Sequence, residues 1–79
     1  MAASYSEPAV LWRLKHADGR RARATLIPGV PHSTLVFFVD DTFDRGENVS
    51  DWAPAIARAE EVRRALESEG WTTDDVRSP

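Results

Sequence analysis

The fold of this chain is decided by a stretch of nineteen residues, Ala9-Val-Leu-Trp-Arg-Leu-Lys-His-Ala-Asp-Gly-Arg-Arg-Ala-Arg-Ala-Thr-Leu-Ile27. Two strand-like halves of this stretch flank Ala-Asp-Gly, a composition that is typical of a β-hairpin turn. A two-residue Asp-Gly turn would place Leu14 opposite Arg23 and would mix polar with apolar side chains on one face. That pairing is unfavourable, because directly opposed residues share a face of the sheet.

A three-residue turn, with Gly19 in the left-handed conformation, separates the two kinds of side chain. One face then carries apolar pairs, namely Leu14 with Ala22, Trp12 with Ala24 and Val10 with Leu26. A slip of one residue would invert the faces. The sequence therefore predicts this register, with Trp12 and Leu14 facing the core.

The other face of the predicted hairpin is basic. It sets Arg13 opposite Arg23 and Lys15 opposite Arg21, and like charges opposed across a sheet are destabilising. A carboxylate from a neighbouring element or an anionic partner is needed to offset them. We therefore predict a candidate binding face that consists of Arg13, Lys15, Arg21, Arg23 and Phe37.

The third strand is predicted at residues 34–39, where an uninterrupted apolar run is typical of a strand covered on both faces. Two aspartates then turn the chain into a short strand at residues 42–45. The register of this second hairpin stays open, because a two-residue turn pairs Phe37 with Asp44 and a three-residue turn pairs it with Arg45. Either Phe37 or the next residue therefore faces away from the helix.

A helix follows, capped by Ser50 or Asp51, with Pro54 in its first turn. Its apolar stripe predicts the face that packs on the sheet. The stripe consists of Trp52, Ala55, Ile56, Ala59, Val62 and Leu66. Gly70 ends the helix, and Trp71 packs back on its last turn as in a Schellman motif.

Together these elements predict an α+β fold, a four-stranded antiparallel β-meander followed by one C-terminal helix packed on one sheet face. Residues 8–71 form the single domain, between a flexible N-terminus at 1–7 and a flexible tail at 72–79. The other sheet face stays open and carries Leu11 and Ile27 beside the basic residues. Small size and a half-covered sheet both favour a homodimer, formed through the open face or an edge.

The composition describes a small acidic protein. Its 79 residues are 42% hydrophobic and 29% charged, with a net charge of −3 and no cysteine, which excludes disulfides and thiolate metal sites. Residues 1–39 carry a net charge of +3 and residues 40–79 one of −6. No apolar run approaches the roughly 20 residues that span a bilayer, and the first residues lack a signal-peptide pattern. We therefore expect a cytoplasmic protein without membrane contact.

No catalytic or metal-binding pattern stands out in the sequence. His16 and His32 are isolated, and the acidic stretch at residues 40–44 is typical of a solvated turn rather than a calcium loop. A chain this short rarely encloses a substrate pocket of about 300 Å³ or more. We therefore expect no enzymatic activity and no cofactor.

The leading functional hypothesis is a small protein-interaction or regulatory module that forms a homodimer and binds a protein partner. The alternative is a single-stranded nucleic-acid-binding protein, in which the basic face holds the backbone and an outward Phe stacks against bases. The acidity of the chain counts against nucleic acid, because carboxylates reduce the positive potential that attracts phosphates.

Overall fold

A computed structural model describes residues 8–74 of the chain. The elements in chain order are β1 (Ala9–Lys15), β2 (Arg21–Ile27), β3 (Ser33–Val39), β4 (Thr42–Val49), α1 (Trp52–Glu67) and β5 (Thr72–Thr73). The strands form one antiparallel sheet of order β4-β3-β2-β1-β5. The predicted α+β fold is confirmed, because four main strands form a meander and the C-terminal helix packs on it. The predicted flexible N-terminus at 1–7 and residues 75–79 of the predicted flexible tail at 72–79 lie outside the described residues.

The hairpin of β1 and β2 has the predicted three-residue turn. The His16 backbone N–H donates to the Arg20 carbonyl at 2.9 Å, and Gly19 has a φ of 98°. The predicted register holds along β1 from Lys15 back to Trp12. Both basic pairs and two of the three predicted apolar pairs therefore form.

A β-bulge between Val10 and Trp12 changes the start of β1. Val10 lies opposite Thr25, so the predicted pair of Val10 with Leu26 is wrong. Leu11 packs with Trp12 against the core, and its predicted place on the open face is wrong as well. The extra residue of a bulge disrupts the strict alternation of side chains along the strand, which explains both errors.

The hairpin of β3 and β4 combines features of the two registers that the sequence leaves open. Asp40 and Asp41 form a two-residue turn with φ angles of 53° and 63°. Two successive positive φ angles characterise a type I′ turn, which matches the twist of the flanking strands. Phe38 therefore pairs with Phe43, as a two-residue turn requires.

A second β-bulge, next to this turn, sets Phe37 opposite Arg45 rather than Asp44. Phe37 also lies opposite Ala24 of β2 and is only 4% exposed within the core. The prediction that Phe37 belongs to the open binding face is therefore wrong. Phe38 lies on that face instead, because successive side chains of a strand point to opposite faces.

Helix α1 begins after Asp51, whose carboxylate accepts a hydrogen bond from the Trp52 N–H at 2.8 Å. Its contact with the sheet centres on Ala55 and Ala59, which are both buried. The Trp12 indole N–H donates to the Ala59 carbonyl at 2.8 Å. The predicted orientation of Trp12 toward the helix is thereby confirmed.

Two residues of the predicted apolar stripe remain exposed. Trp52 is 52% exposed and Ile56 is 43% exposed, so their predicted burial is wrong. With 3.6 residues per turn, Ile56 is rotated by about 100° from Ala55, which places it at the edge of the buried stripe. Val62 and Leu66 continue the stripe and are half-buried.

The helix ends in the predicted Schellman motif. The Trp71 N–H donates to the Leu66 carbonyl at 3.1 Å, the Gly70 N–H donates to the Glu67 carbonyl at 3.1 Å, and Gly70 has a φ of 101°. Trp71 is 6% exposed and packs against Leu14 of β1. The C-terminal end of the helix is therefore fixed by both backbone and side-chain contacts.

The chain after the helix joins the sheet. Strand β5 pairs with β1, with Thr73 opposite Leu14. The Asp74 N–H continues this pairing and donates to the Arg13 carbonyl at 2.9 Å. Regular structure thus extends past the predicted domain end at residue 71.

Candidate functional site

The open face of the sheet, opposite α1, has a charged end next to the two hairpin turns. The cross-strand pairs of β1 and β2 bring Arg13, Lys15, Arg21 and Arg23 together there. The predicted clustering of these cations is confirmed. Their role in binding stays a prediction.

A surface groove of about 590 Å³ crosses this end of the sheet. Three arginines and three aspartates dominate its walls. The lining residues are Arg13, Arg21, Ala22, Arg23, Phe38, Asp40, Asp41 and Asp74. We call this feature the charged groove. Its volume lies in the range of small-molecule sites, about 300–1,000 Å³. The short length of the chain does not predict a groove of this size.

Carboxylates from neighbouring elements offset the arginines of the charged groove. Arg23 forms an ion pair with Asp41 and lies over the Phe38 ring, 4.2 Å from its centroid. Arg21 Nε lies 3.7 Å from Asp74 Oδ2. The basic face requires either carboxylates from neighbouring elements or an anionic partner to offset its charges. The structure contains such carboxylates within the chain.

Asp74 is the most buried carboxylate of the groove. Its side chain is 6% exposed, and its Oδ1 atom is buried without a hydrogen-bond partner in the part of the chain that the structure describes. Across the strand pair, the Arg13 guanidinium has no carboxylate within 4.0 Å among residues 8–74. One acceptor and one cationic donor group of the groove are thus left without strong partners in the described part of the chain.

The other end of the open face is uncharged. Strand pairing places seven positions there, and none of them carries a charge. They are Val10, Thr25, Ile27, Thr34, Val36, Gly46 and Asn48. Val10 and Ile27 are 40% and 38% exposed, and Thr25 and Val36 are buried between them. We call these seven positions the uncharged end.

Phe43 borders the uncharged end from the edge strand β4. It is 61% exposed. Its ring lies beside Gly46, where a Cβ atom would meet the Phe43 Cε1 atom at 3.5 Å. Because residue 46 has no side chain, the exposed ring extends the apolar surface across β4.

The edge strand β4 is tied to the helix by an ion pair. Arg58 donates to the two carboxylate oxygens of Glu47 at 2.9 and 3.0 Å. These hydrogen bonds lower the pKa of Glu47 and raise the pKa of Arg58, against the opposing effect of desolvation. The charge of Glu47 is therefore neutralised within the chain.

The two histidines lie apart from the charged groove. His16 makes an edge contact with the Trp71 ring, 5.2 Å between centroids, and its Nδ1 accepts from the Asp18 N–H at 3.2 Å. His32 is exposed in the loop before β3. In the described part of the chain, no three acidic or histidine side chains gather as metal ligands. Within residues 8–74, no helix is long and apolar enough to cross a bilayer.

Comparisons of the chain with protein-family models, curated proteins and solved structures give no match. A functional assignment therefore depends on the chemistry of the open face. Its two ends differ in kind, since one is an uncharged apolar surface and the other is a groove with both signs of charge.

Proposed function

We propose that this chain is a cytoplasmic, non-catalytic protein-interaction module that forms a homodimer through the uncharged end of its open sheet face. The observation that supports this proposal is the composition of that surface. Seven adjacent positions lack charge in a chain of which 29% of residues are charged. Val10 and Ile27 among these positions, together with the neighbouring Phe43, are exposed apolar side chains, and exposed apolar patches mark sites of association in soluble proteins.

A second copy of the chain suits this surface because a two-fold contact sets the same patch against itself. Charged side chains close to the two-fold axis of such a contact would meet their own copies, and the uncharged end avoids that repulsion. The exposed side chains of Val10, Ile27 and Phe43 supply an apolar centre, and the centres of protein interfaces are depleted in charge and enriched in aromatic residues. The net charge of −3 repels copies elsewhere on the surface.

The edges of the sheet are less suited to pairing than its open face. Strand β4 carries Asp44, Arg45 and Glu47 and is interrupted by a bulge, and both features protect a natural edge strand from pairing. Strand β5, at the other edge, is two residues long. The sequence suggests a dimer that forms through either the open face or an edge strand. These features of the two edge strands favour the open face.

The composition of the charged groove counts against the nucleic-acid alternative. Its three arginines lie among three aspartates, and Arg23 already pairs with Asp41. The local potential that would attract phosphates is therefore weak. We expect no salt-sensitive binding of a fluorescently labelled oligothymidylate at low ionic strength, and tight salt-sensitive binding would favour the alternative.

Sedimentation equilibrium of two matched variants tests the homodimer. Ile27 and Ile56 are similarly exposed, at 38% and 43%, but they lie on the open face and on the helix, respectively. We expect the native chain and Ile56→Lys to be dimers. Ile27→Lys should be a folded monomer, because the substitution buries an unpaired charge in the apolar contact.

Circular dichroism should show the same secondary structure in all three proteins. A native chain that stays monomeric at high concentration would contradict the proposal. A dimer that Ile56→Lys dissociates and Ile27→Lys leaves intact would contradict it as well, and would move the contact to the exposed side of the helix.

A further inference from the structure

The charged groove remains accessible in the proposed dimer. It lies at the hairpin-turn end of the strands, whereas the uncharged end lies at the opposite end of β1 and β2. Association through the uncharged end therefore leaves the groove open to small molecules. Ligand binding in the charged groove therefore does not depend on formation of the homodimer.

The groove contains a buried acceptor without a donor. The Asp74 side chain is 94% buried, since 6% of it is exposed, and its Oδ1 has no hydrogen-bond partner within residues 8–74. A buried carboxylate oxygen without a partner is costly. Because this atom is covered, a ligand must draw the Asp74 side chain toward the groove to bring an N–H donor to it, and that hydrogen bond would remove the cost.

Next to this acceptor, the groove contains a cation that has no carboxylate partner among the described residues. Because the Asp74 N–H donates to the Arg13 carbonyl, the two residues are cross-strand neighbours, and such neighbours have Cβ atoms roughly 4.5–5.5 Å apart. The Arg13 guanidinium has no carboxylate within 4.0 Å among residues 8–74. It can therefore bind an anionic group of the same ligand, and guanidinium groups match the planar geometry of a carboxylate.

A ligand with a single sign of charge suits the groove poorly. An anion alone would leave Asp74 Oδ1 without a donor and would approach three aspartates. A cation alone would approach three arginines. Only a ligand that carries both charges close together satisfies both groups.

We propose that the charged groove binds a small zwitterion of the α-amino acid class. Its ammonium group donates to Asp74 Oδ1, and its carboxylate accepts hydrogen bonds from the Arg13 guanidinium. The two charged groups of an α-amino acid are separated by one carbon atom, which fits neighbouring partners on β1 and on the segment after β5. Ala22 and the Phe38 ring give the groove an apolar part for the ligand's own side chain.

Titration of the ¹⁵N-labelled full chain, followed by NMR, tests this proposal. The probes are L-alanine, L-leucine and L-phenylalanine, with acetate and ethylammonium as single-charge controls. We expect at least one amino acid to shift the amide signals of Arg13 and Asp74 saturably. Its affinity should exceed that of either control by about tenfold or more, as the loss of one charge-assisted hydrogen bond implies.

Two variants that each remove one charge test the assigned contacts. Asp74→Asn and Arg13→Gln should each weaken amino acid binding by about tenfold, and Asp44→Asn, a carboxylate of β4 outside the groove, should leave it unchanged. Matching circular dichroism spectra show that the variants fold. The proposal is overturned if no amino acid binds saturably, if acetate binds as tightly as the amino acids, or if Asp74→Asn binds them like the native chain.

The monomeric variant Ile27→Lys separates this proposal from the homodimer. It should retain amino acid binding, because residue 27 does not line the groove. Loss of binding in a folded Ile27→Lys monomer would contradict the independence of the two ends.

Discussion

Replacing Trp71 with alanine should be among the most destabilising single substitutions in the chain. The indole is 6% exposed and packs against Leu14 and Leu66. Its ring also makes an edge contact with His16 at 5.2 Å and lies under the Arg20 guanidinium at 5.1 Å. The substitution removes these contacts but leaves the backbone hydrogen bonds of the helix end in place.

The magnitude of the loss follows from the buried area. A Trp side chain buries roughly 150–250 Å², which at about 25 cal/mol per Å² corresponds to about 4–6 kcal/mol as an upper bound. Measured substitutions of buried Trp or Phe by Ala cost about 3–5 kcal/mol. A domain of 79 residues has a free energy of unfolding of about 4–12 kcal/mol. We therefore expect a loss of about 3–5 kcal/mol, which is a large share of that free energy of unfolding.

Urea denaturation followed by circular dichroism measures this loss, at one fixed protein concentration because dimerisation would contribute to stability. Trp52→Ala is the matched control, since it removes the same side chain from a site that is 52% exposed. Its cost should stay below about 1 kcal/mol. A loss below about 1 kcal/mol for Trp71→Ala, or equal losses for the two variants, would refute the packing at the helix end.

Three further predictions concern the open face and the edge strand. Thr25→Val should raise the free energy of unfolding by about 1 kcal/mol in urea denaturation, because the Thr25 hydroxyl is buried with no hydrogen-bond partner among the described residues 8–74; a destabilised variant would contradict this. Arg23→Ser should lower the melting temperature, since Arg23 has an ion pair and an aromatic contact. Arg13→Ser should leave the melting temperature unchanged or raise it, because the substitution removes a like-charge neighbour of Arg23. A larger decrease for Arg13→Ser than for Arg23→Ser would contradict the assigned contacts. The Glu47 carboxyl has a pKa below its ordinary value of 4.5 because Arg58 donates to it, so its contribution to stability is present above pH 4.5 and is lost as pH falls through the lowered pKa. Wild type should therefore be more stable than Glu47→Gln at neutral pH, and acid denaturation profiles should converge in strong acid.

The side-chain pattern of the first hairpin determines its register. Arginines alternate with alanines from residue 21 to 24, and only one turn length separates them cleanly, so the faces of Trp12 and Leu14 follow from the sequence. The Schellman motif is predictable for a similar reason, because Gly70 and Trp71 follow the apolar stripe at the spacing that the motif requires.

The errors arise where the backbone departs from regular geometry. Nothing in the residues around Leu11 or Asp44 indicates a β-bulge, yet these two bulges decide which side chains reach the core. The orientation of Phe37 depends on the two-residue turn at Asp40 and Asp41. Aspartate tolerates positive φ less readily than glycine, so this turn type is weakly indicated by the sequence.

The sequence pattern also does not predict that Asp74 contributes to the charged groove. Two threonines before it favour a strand, but a strand of two residues has no detectable periodicity. Its pairing with β1 depends on the direction in which the chain leaves Trp71, which only the folded helix end defines. This pairing brings a carboxylate to the arginines of the hairpin.

The central claim is that copies of this chain meet through the uncharged end of the open sheet face. The chain has no cysteine, so single spin labels can be attached at Asn48→Cys, on the open face, and at Ile56→Cys, on the helix. Pulsed electron paramagnetic resonance then measures the distance between the two labels of a dimer. We predict a shorter distance for position 48 than for position 56, because the labels at 48 flank the contact and those at 56 lie outside both sheets. A shorter distance at position 56, or no dipolar coupling at either position, would contradict the account.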